Sequence, residues 1–314
     1  MASNRNQAAP GSEQRATGQH GKPAVQTDPQ HHYPSPPLPP RHLDKPGHET
    51  QMDLQPEFLA THYRGSGKLA GMVAIVTCGD SGIGRAVAVL YAREGAQLAV
   101  IYLDEHDDAV ETQRCVEAEG QQCLLLPGDV REPDFCRDAA RQVHQEFGRI
   151  DILVNNAAFQ QHTDSLGELS EERFDLTMKT NVYGYFHMAQ AVLPFMKQGA
   201  AIINTGSVTG LQGSGHLIDY ATTKGAIHAF TKSLASNVLD LGIRVNAVAP
   251  GPVWTPLNPA DAPPGRIAQF GADTDMHRPA QPQELSPAYV FLASPVCSSY
   301  ITGTVLEVTG SVGA

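Results

Sequence analysis

The stretch VTCGDSGIGRAV, Val76–Val87, decides the fold. Ahead of it, the apolar run MVAIVT (Met72–Thr77) predicts a buried strand. Behind it, Ile83 to Gly95 repeats apolar residues at helical spacing and stops at a glycine. Between the two, Gly79, Gly82 and Gly84 let the backbone bend tightly and come close to a ligand. Strand, glycine turn and helix N-terminus together make a cradle for phosphate. The N–H groups of the first helical turn have no partner within the helix, and they lie at the positive end of its dipole. A glycine turn is also a plain strand-to-helix connection, so the rest of the chain must decide between the two readings.

Working outward, QLAVIY (Gln97–Tyr102), CLLLPGDV (Cys123–Val130) and DILVNNA (Asp151–Ala157) read as further strands. So do AIINTGS (Ala201–Ser207), IRVNAVAP (Ile243–Pro250) and TVLEVTG (Thr304–Gly310). Helical patterns separate them at 108–119, 133–147, 171–197, 220–240 and 285–293. Apolar strands alternating with helices of this length predict one doubly wound, parallel α/β sheet, Rossmann-like, of about seven strands. Helices then cover both faces, and ligands bind at the carboxyl ends of the strands.

The totals narrow the partners. The 314 residues carry a net charge of -11, which argues against nucleic acid and anionic membrane as partners. Five widely spaced cysteines, without a CxxC pair, suggest neither a zinc site nor a disulfide framework, so no metal is expected and a cytoplasmic setting fits. No apolar run approaches a membrane span, and the N-terminus lacks a signal pattern. Nine of the 23 prolines fall within residues 1–50. Residues 1–65 are therefore expected to be an N-terminal extension, partly disordered or laid on a neighbouring subunit, with 66–314 as a single domain. His31, His32, His42 and His48 read as solvated residues of this tail.

Three later segments bear on chemistry. YATTK places Tyr220 and Lys224 four apart on one helix face. Ser207 ends the fifth strand, and Asn181 lies within KTNVYGYF. With the glycine loop and NNAA (Asn155–Ala158), this set resembles the short-chain dehydrogenase/reductase family, in its single-domain branch, over about Lys68–Gly310. The run YRGSGKLAG (Tyr63–Gly71) looks like a bacterial subgroup with an extended N-terminal arm.

The resemblance implies an NAD(P)-dependent oxidoreductase that moves a hydride between nicotinamide and an alcohol or carbonyl substrate. Tyr220 is the implied acid/base, its pKa depressed by Lys224; Ser207 holds the substrate oxygen, and Asn181 holds a water that links Lys224 to solvent. Around the cofactor the resemblance places Gly79, Asp80, Ser81, Gly82, Ile83 and Gly84 at the pyrophosphate. Tyr102, Leu103 and Asp104 fall at the adenosine ribose, and Asp129 and Val130 at the adenine. Asn156, Ala157 and Ala158 pack beside the ribose. Pro250, Gly251, Val253 and Thr255 line the nicotinamide, which Tyr220 and Lys224 also reach. A homotetramer is implied as well. The competing reading is a catalytically weak, nucleotide-sensing module of the same fold.

Two departures carry weight. Cys78 stands where the family has its first loop glycine; a left-handed backbone there would cost a cysteine about 1 kcal/mol. Gly206 precedes Ser207 where serine is frequent, with little effect expected. The acidic run IYLDEHDD (Ile101–Asp108) favours NAD over NADP, with Arg85 as a partial offset. Substrate choice is expected within Trp254–His277, where 258–275 reads as a mobile lid and Trp254 and Phe270 as apolar walls.

Overall fold

The structure, a computed structural model, describes residues 1–2 and 33–312. The expectations for residues 3–32, including His31 and His32, lie outside the described residues. The chain runs β1 (Val73–Thr77), α1 (Gly82–Arg93), β2 (Gln97–Tyr102), α2 (His106–Ala118), β3 (Cys123–Pro127), α3 (Pro133–Phe147), β4 (Ile152–Asn155). It continues through α4 (Glu171–Met178), α5 (Gly184–Val192), β5 (Ala201–Thr205), α6 (Thr209–Gln212), α7 (Ile218–Asn237) and β6 (Arg244–Pro250). The short helices α8 (Pro264–Ala268) and α10 (Pro295–Ser298) flank α9 (Pro282–Ala293), and β7 (Val305–Val308) closes the sheet.

The seven strands lie in the order β3-β2-β1-β4-β5-β6-β7, and every pairing is parallel. The order reverses between β1 and β4, so their carboxyl ends flank the crevice where such sheets bind ligands. Alternate strand residues feed two cores. Ala74, Val76, Leu98 and Val100 meet α1 and α9, while Val73, Ile75, Ala99 and Ile101 meet α3 and α5. Strands buried on both faces are apolar throughout, as the sequence pattern required.

Two local differences matter for the site. The long helix predicted over 171–197 is interrupted by a wide π turn at Lys179–Tyr183, which carries Asn181. From Tyr33 onward, the Pro/His-rich extension packs on its own chain. Leu38, Leu43 and Met52 form a small apolar cluster with Trp254, Ala260, Ala262 and Ile267. The segment expected to be a mobile lid thus contributes buried residues beneath this arm, pinned by Leu43 N–H on Pro259 C=O at 3.0 Å. Trp254, expected on the substrate wall, is instead 2% exposed and donates its ring N–H to Leu54 C=O at 2.9 Å. Among the described residues no helix is long and apolar enough to cross a membrane.

Candidate active site

The glycine turn is as tight as its sequence implied. A Cβ on Gly84 would lie 2.0 Å from the Cys78 carbonyl oxygen, so no other residue fits. Gly82 has φ +50, and a Cβ there would meet the Thr255 methyl at 2.9 Å. Cys78 does adopt a left-handed backbone, φ 51, so the strain anticipated for a cysteine is present. Burial, with Asp80 and Glu105 nearby, pushes its thiol well above the usual range and keeps it neutral.

Asn156 ties three strand ends together. Its N–H donates to Thr77 Oγ1 at 2.8 Å, its side-chain amide donates to Cys78 C=O at 3.2 Å, and Thr205 Oγ1 donates to its Oδ1 at 3.1 Å. The N–H of Ala157 shares Thr77 Oγ1 at 3.0 Å, and Ala158 follows it at the rim. Thr77 and Thr205 were not singled out from the sequence. Both are the last residues of their strands, a position that would have flagged them. Asp129 and Val130 follow β3; Asp129 holds Arg131 through Oδ2 at 2.7 Å, and these contacts outweigh burial and lower its pKa. Tyr102 ends β2 and Leu103 and Asp104 follow it, with the Tyr102 hydroxyl 2.7 Å from His106 Nδ1.

Arg85 does not offset the acids at the β2 end. It is 3% exposed, and its guanidinium is already engaged. Nε donates to Asp80 C=O and Thr112 Oγ1, both at 2.9 Å, Nη2 donates to Asp108 C=O at 3.0 Å, and Nη1 pairs with Glu49. Burial and Glu105 raise the Asp80 carboxyl to about 7. Ser81 precedes α1, and Ile83 lies in its first turn.

On the other side of the crevice, Ser207, Tyr220 and Lys224 come together below the end of β5. Tyr220 is 9%, Ser207 7% and Lys224 1% exposed. Lys224 Nζ donates to Thr205 C=O at 2.7 Å and lies 5.3 Å from the Tyr220 ring centre and 5.4 Å from that of Tyr185. The expected depression of the phenol is absent. Burial pushes Tyr220 up to about 12, a hydrogen bond with Ser207 draws it down, and Asp261 adds to the rise. Burial drives Lys224 down to about 7, so much of its charge is lost near neutral pH and with it the influence on its neighbour.

Asn181 is fully buried and its side chain is committed. Its Oδ1 accepts from Phe159 N–H at 2.7 Å, and its Nδ2 donates to Phe159 C=O and to Thr223 Oγ1, both at 3.0 Å. The loop after β4 then meets the segment after β6, where Asp261 accepts from Gln160 Nε2 at 2.8 Å and His162 N–H at 2.7 Å. Pro250, Gly251, Val253 and Thr255 line the end of β6. The N–H of Gly251 donates to Val308 C=O at 2.9 Å, and a Cβ on Gly251 would lie 2.6 Å from Thr309 C=O.

The residues present fit a nicotinamide dinucleotide. The glycine turn has no room for side chains, the first turn of α1 offers its N–H groups beside it, and the buried phenol and ammonium stand across the crevice. No grouping of three His, Cys, Asp or Glu side chains suited to a metal ion occurs among the described residues.

A family model described as Enoyl-(Acyl carrier protein) reductase matches residues 78–312. The uncharacterised oxidoreductase YhdF of Bacillus subtilis (strain 168) is 52% identical over 272 residues, covering 86% of this chain and 94% of that protein. The NADPH-dependent aldehyde reductase 1, chloroplastic, of Arabidopsis thaliana is 44% identical over 272 residues, covering 85% and 94%. A crystal structure of a short chain dehydrogenase from Burkholderia cenocepacia J2315, in complex with NADP, superposes with a TM-score of 0.73 at 31% identity, covering 79% of this chain and 100% of that one.

Proposed function

The chain belongs to the short-chain dehydrogenase/reductase family and is an NAD(P)-dependent oxidoreductase, and from that premise we propose that it reduces small aldehydes or ketones, with Tyr220 as proton donor. The observation that carries this reading is the grouping of a neutral buried phenol, a serine hydroxyl and a buried lysine at the end of β5. A dinucleotide, when bound, would supply the hydride. Ser207 and Tyr220 hydrogen-bond the carbonyl oxygen, and as negative charge grows there the phenol hands over its proton; an alkoxide is far more basic than a phenolate. Lys224 titrates near 7, so it can return a proton toward the tyrosine at neutral pH. Because the Asn181 side chain is committed, a water linking Lys224 to solvent falls to the backbone of the π turn rather than to that side chain.

The preference for NAD read from the acidic β2 end has no support from the two similar proteins above whose names mention a cofactor, NADPH in one and NADP in the other. We therefore place both dinucleotides in range, with the remaining residues of the cofactor set as assigned above. The same reading takes 66–314 as one oxidoreductase domain behind an arm and places the protein in the cytoplasm. It takes the assembly as a homotetramer, using exposed apolar residues such as Phe186 on α5 and Tyr300 near β7. Titration with NADPH and NADH, followed by turnover on a panel of aldehydes, ketones and alcohols, tests the function. Binding without turnover of any member would reject the enzymatic reading, and light scattering tests the tetramer.

A further inference from the structure

The arm does more than cover the lid segment. Glu49, in a short 3-10 turn at Glu49–Gln51, is 1% exposed although it lies 33 residues before the glycine turn it touches. One carboxylate oxygen accepts the Gly82 N–H at 2.8 Å, and the other pairs with Arg85. The backbone N–H of Glu49 donates to Asp108 Oδ2 at 2.9 Å, which binds the same turn of the arm to α2. Phe58 stacks over the Arg85 guanidinium with 5.0 Å to the ring centre, closing the ion pair from solvent.

Gly82 is the first residue of α1. Its N–H is one of the free donors of the first turn, so a carboxylate on it fixes the turn while leaving the donors of Ile83 and Gly84 for phosphate. A left-handed glycine followed by helix has no side chain to hold it, and here the arm supplies the hold from outside.

We propose that Glu49 is a positioning residue for the cofactor, through which the N-terminal arm completes the dinucleotide-binding turn. This rests on the dinucleotide reading above. Glu49 does not touch the reacting atoms; it sets Gly82 in place and pairs with Arg85 beside it.

The test uses the full chain, wild type, Glu49→Gln and Glu49→Ala, with NADPH and NADH as probes. Glutamine has one oxygen and can serve Gly82 or Arg85, not both; alanine serves neither. Dissociation constants and cofactor KM should rise about fivefold in Glu49→Gln and tenfold or more in Glu49→Ala, with kcat at saturating cofactor within about twofold. The losses should be similar for NADPH and NADH, because the pyrophosphate is common to both. In the cofactor-free protein, amide exchange over 79–85 should quicken while strands β4 to β6 keep their protection. Cofactor affinity within about twofold of wild type in both variants, or tighter binding, overturns the proposal. So does a fall in kcat without a rise in cofactor KM. If Glu49→Ala does not fold, the affinity and exchange of Glu49→Gln decide alone. A wild type that binds neither dinucleotide sinks the dinucleotide reading; a wild type that binds, with variants that bind equally well, sinks only the role of Glu49.

Discussion

One buried cation lies beside the glycine turn and another below the end of β5, and they are held in opposite ways. Arg85, at the nucleotide turn, has Glu49 and Asp108 as counter-charges, with backbone and hydroxyl acceptors for its remaining donors. Lys224, beside Ser207 and Tyr220, has one carbonyl at 2.7 Å, the Tyr185 hydroxyl at 3.4 Å and two aromatic faces. A guanidinium surrounded by carboxylates and acceptors keeps its hydrogen bonds in the interior. An ammonium without a carboxylate is costly, and burial brings its pKa into the working range. The first arrangement ties the glycine turn to α2 and the arm, and the second leaves an ammonium with no carboxylate partner.

The comparison can be broken by removing each cation. Lys224→Met should cost turnover by a hundredfold or more, as loss of an acid/base partner does, yet leave the fold more stable. The sign follows from linkage. The folded pKa is about 7 against an ordinary lysine value of 10.5, so the charged form is penalised in full below pH 7 and not at all above 10.5. The gain in Tm from Lys224→Met should therefore be largest at pH 6 and shrink as pH rises through that window. Arg85→Met should do the reverse. It leaves two buried carboxylates without their partner and should cost about 3–5 kcal/mol in urea unfolding. A stable Arg85→Met, or a destabilised Lys224→Met at pH 6, would show that the two cations are not held as described.

A smaller effect sharpens the catalytic side. The space beside Gly206 is filled by His228, whose Nε2 would lie 2.2 Å from a Cβ there. Glycine at 206 leaves His228 its place, which a serine side chain would contest. Gly206→Ser should cost about 1–3 kcal/mol through overpacking, and His228→Val in the same chain should restore most of it. Additive losses in the double variant would mean that the two positions do not compete for the same volume.

The comparison also explains what was readable beforehand. Tyr220 and Lys224 are one helical turn apart, so sequence spacing alone puts them together, and Ser207 follows from its place at a strand end. Gly82 and Gly84 are legible because no other residue can take their place. Glu49 is not, since it reaches the glycine turn from a Pro/His-rich segment whose composition reads as a loose tail. The same blindness put Trp254 on the substrate wall, although the arm buries it. The π turn at Asn181 shifts one residue within an unbroken helical pattern, and no periodicity reports that. The role of Lys224 was read from charge alone. The burial of both side chains, which raises Tyr220 and lowers Lys224, comes from packing against residues distant in sequence such as Tyr185 and Thr205.

The phenol is the centre of the account. Reduction of an aldehyde by NADPH, followed as single-turnover oxidation of the cofactor in wild type and Tyr220→Phe, tests it most directly. The prediction is a rate lower by a hundredfold or more in the variant, with the dissociation constant for NADPH unchanged. A Tyr220→Phe protein that oxidises NADPH at the wild-type rate would contradict it.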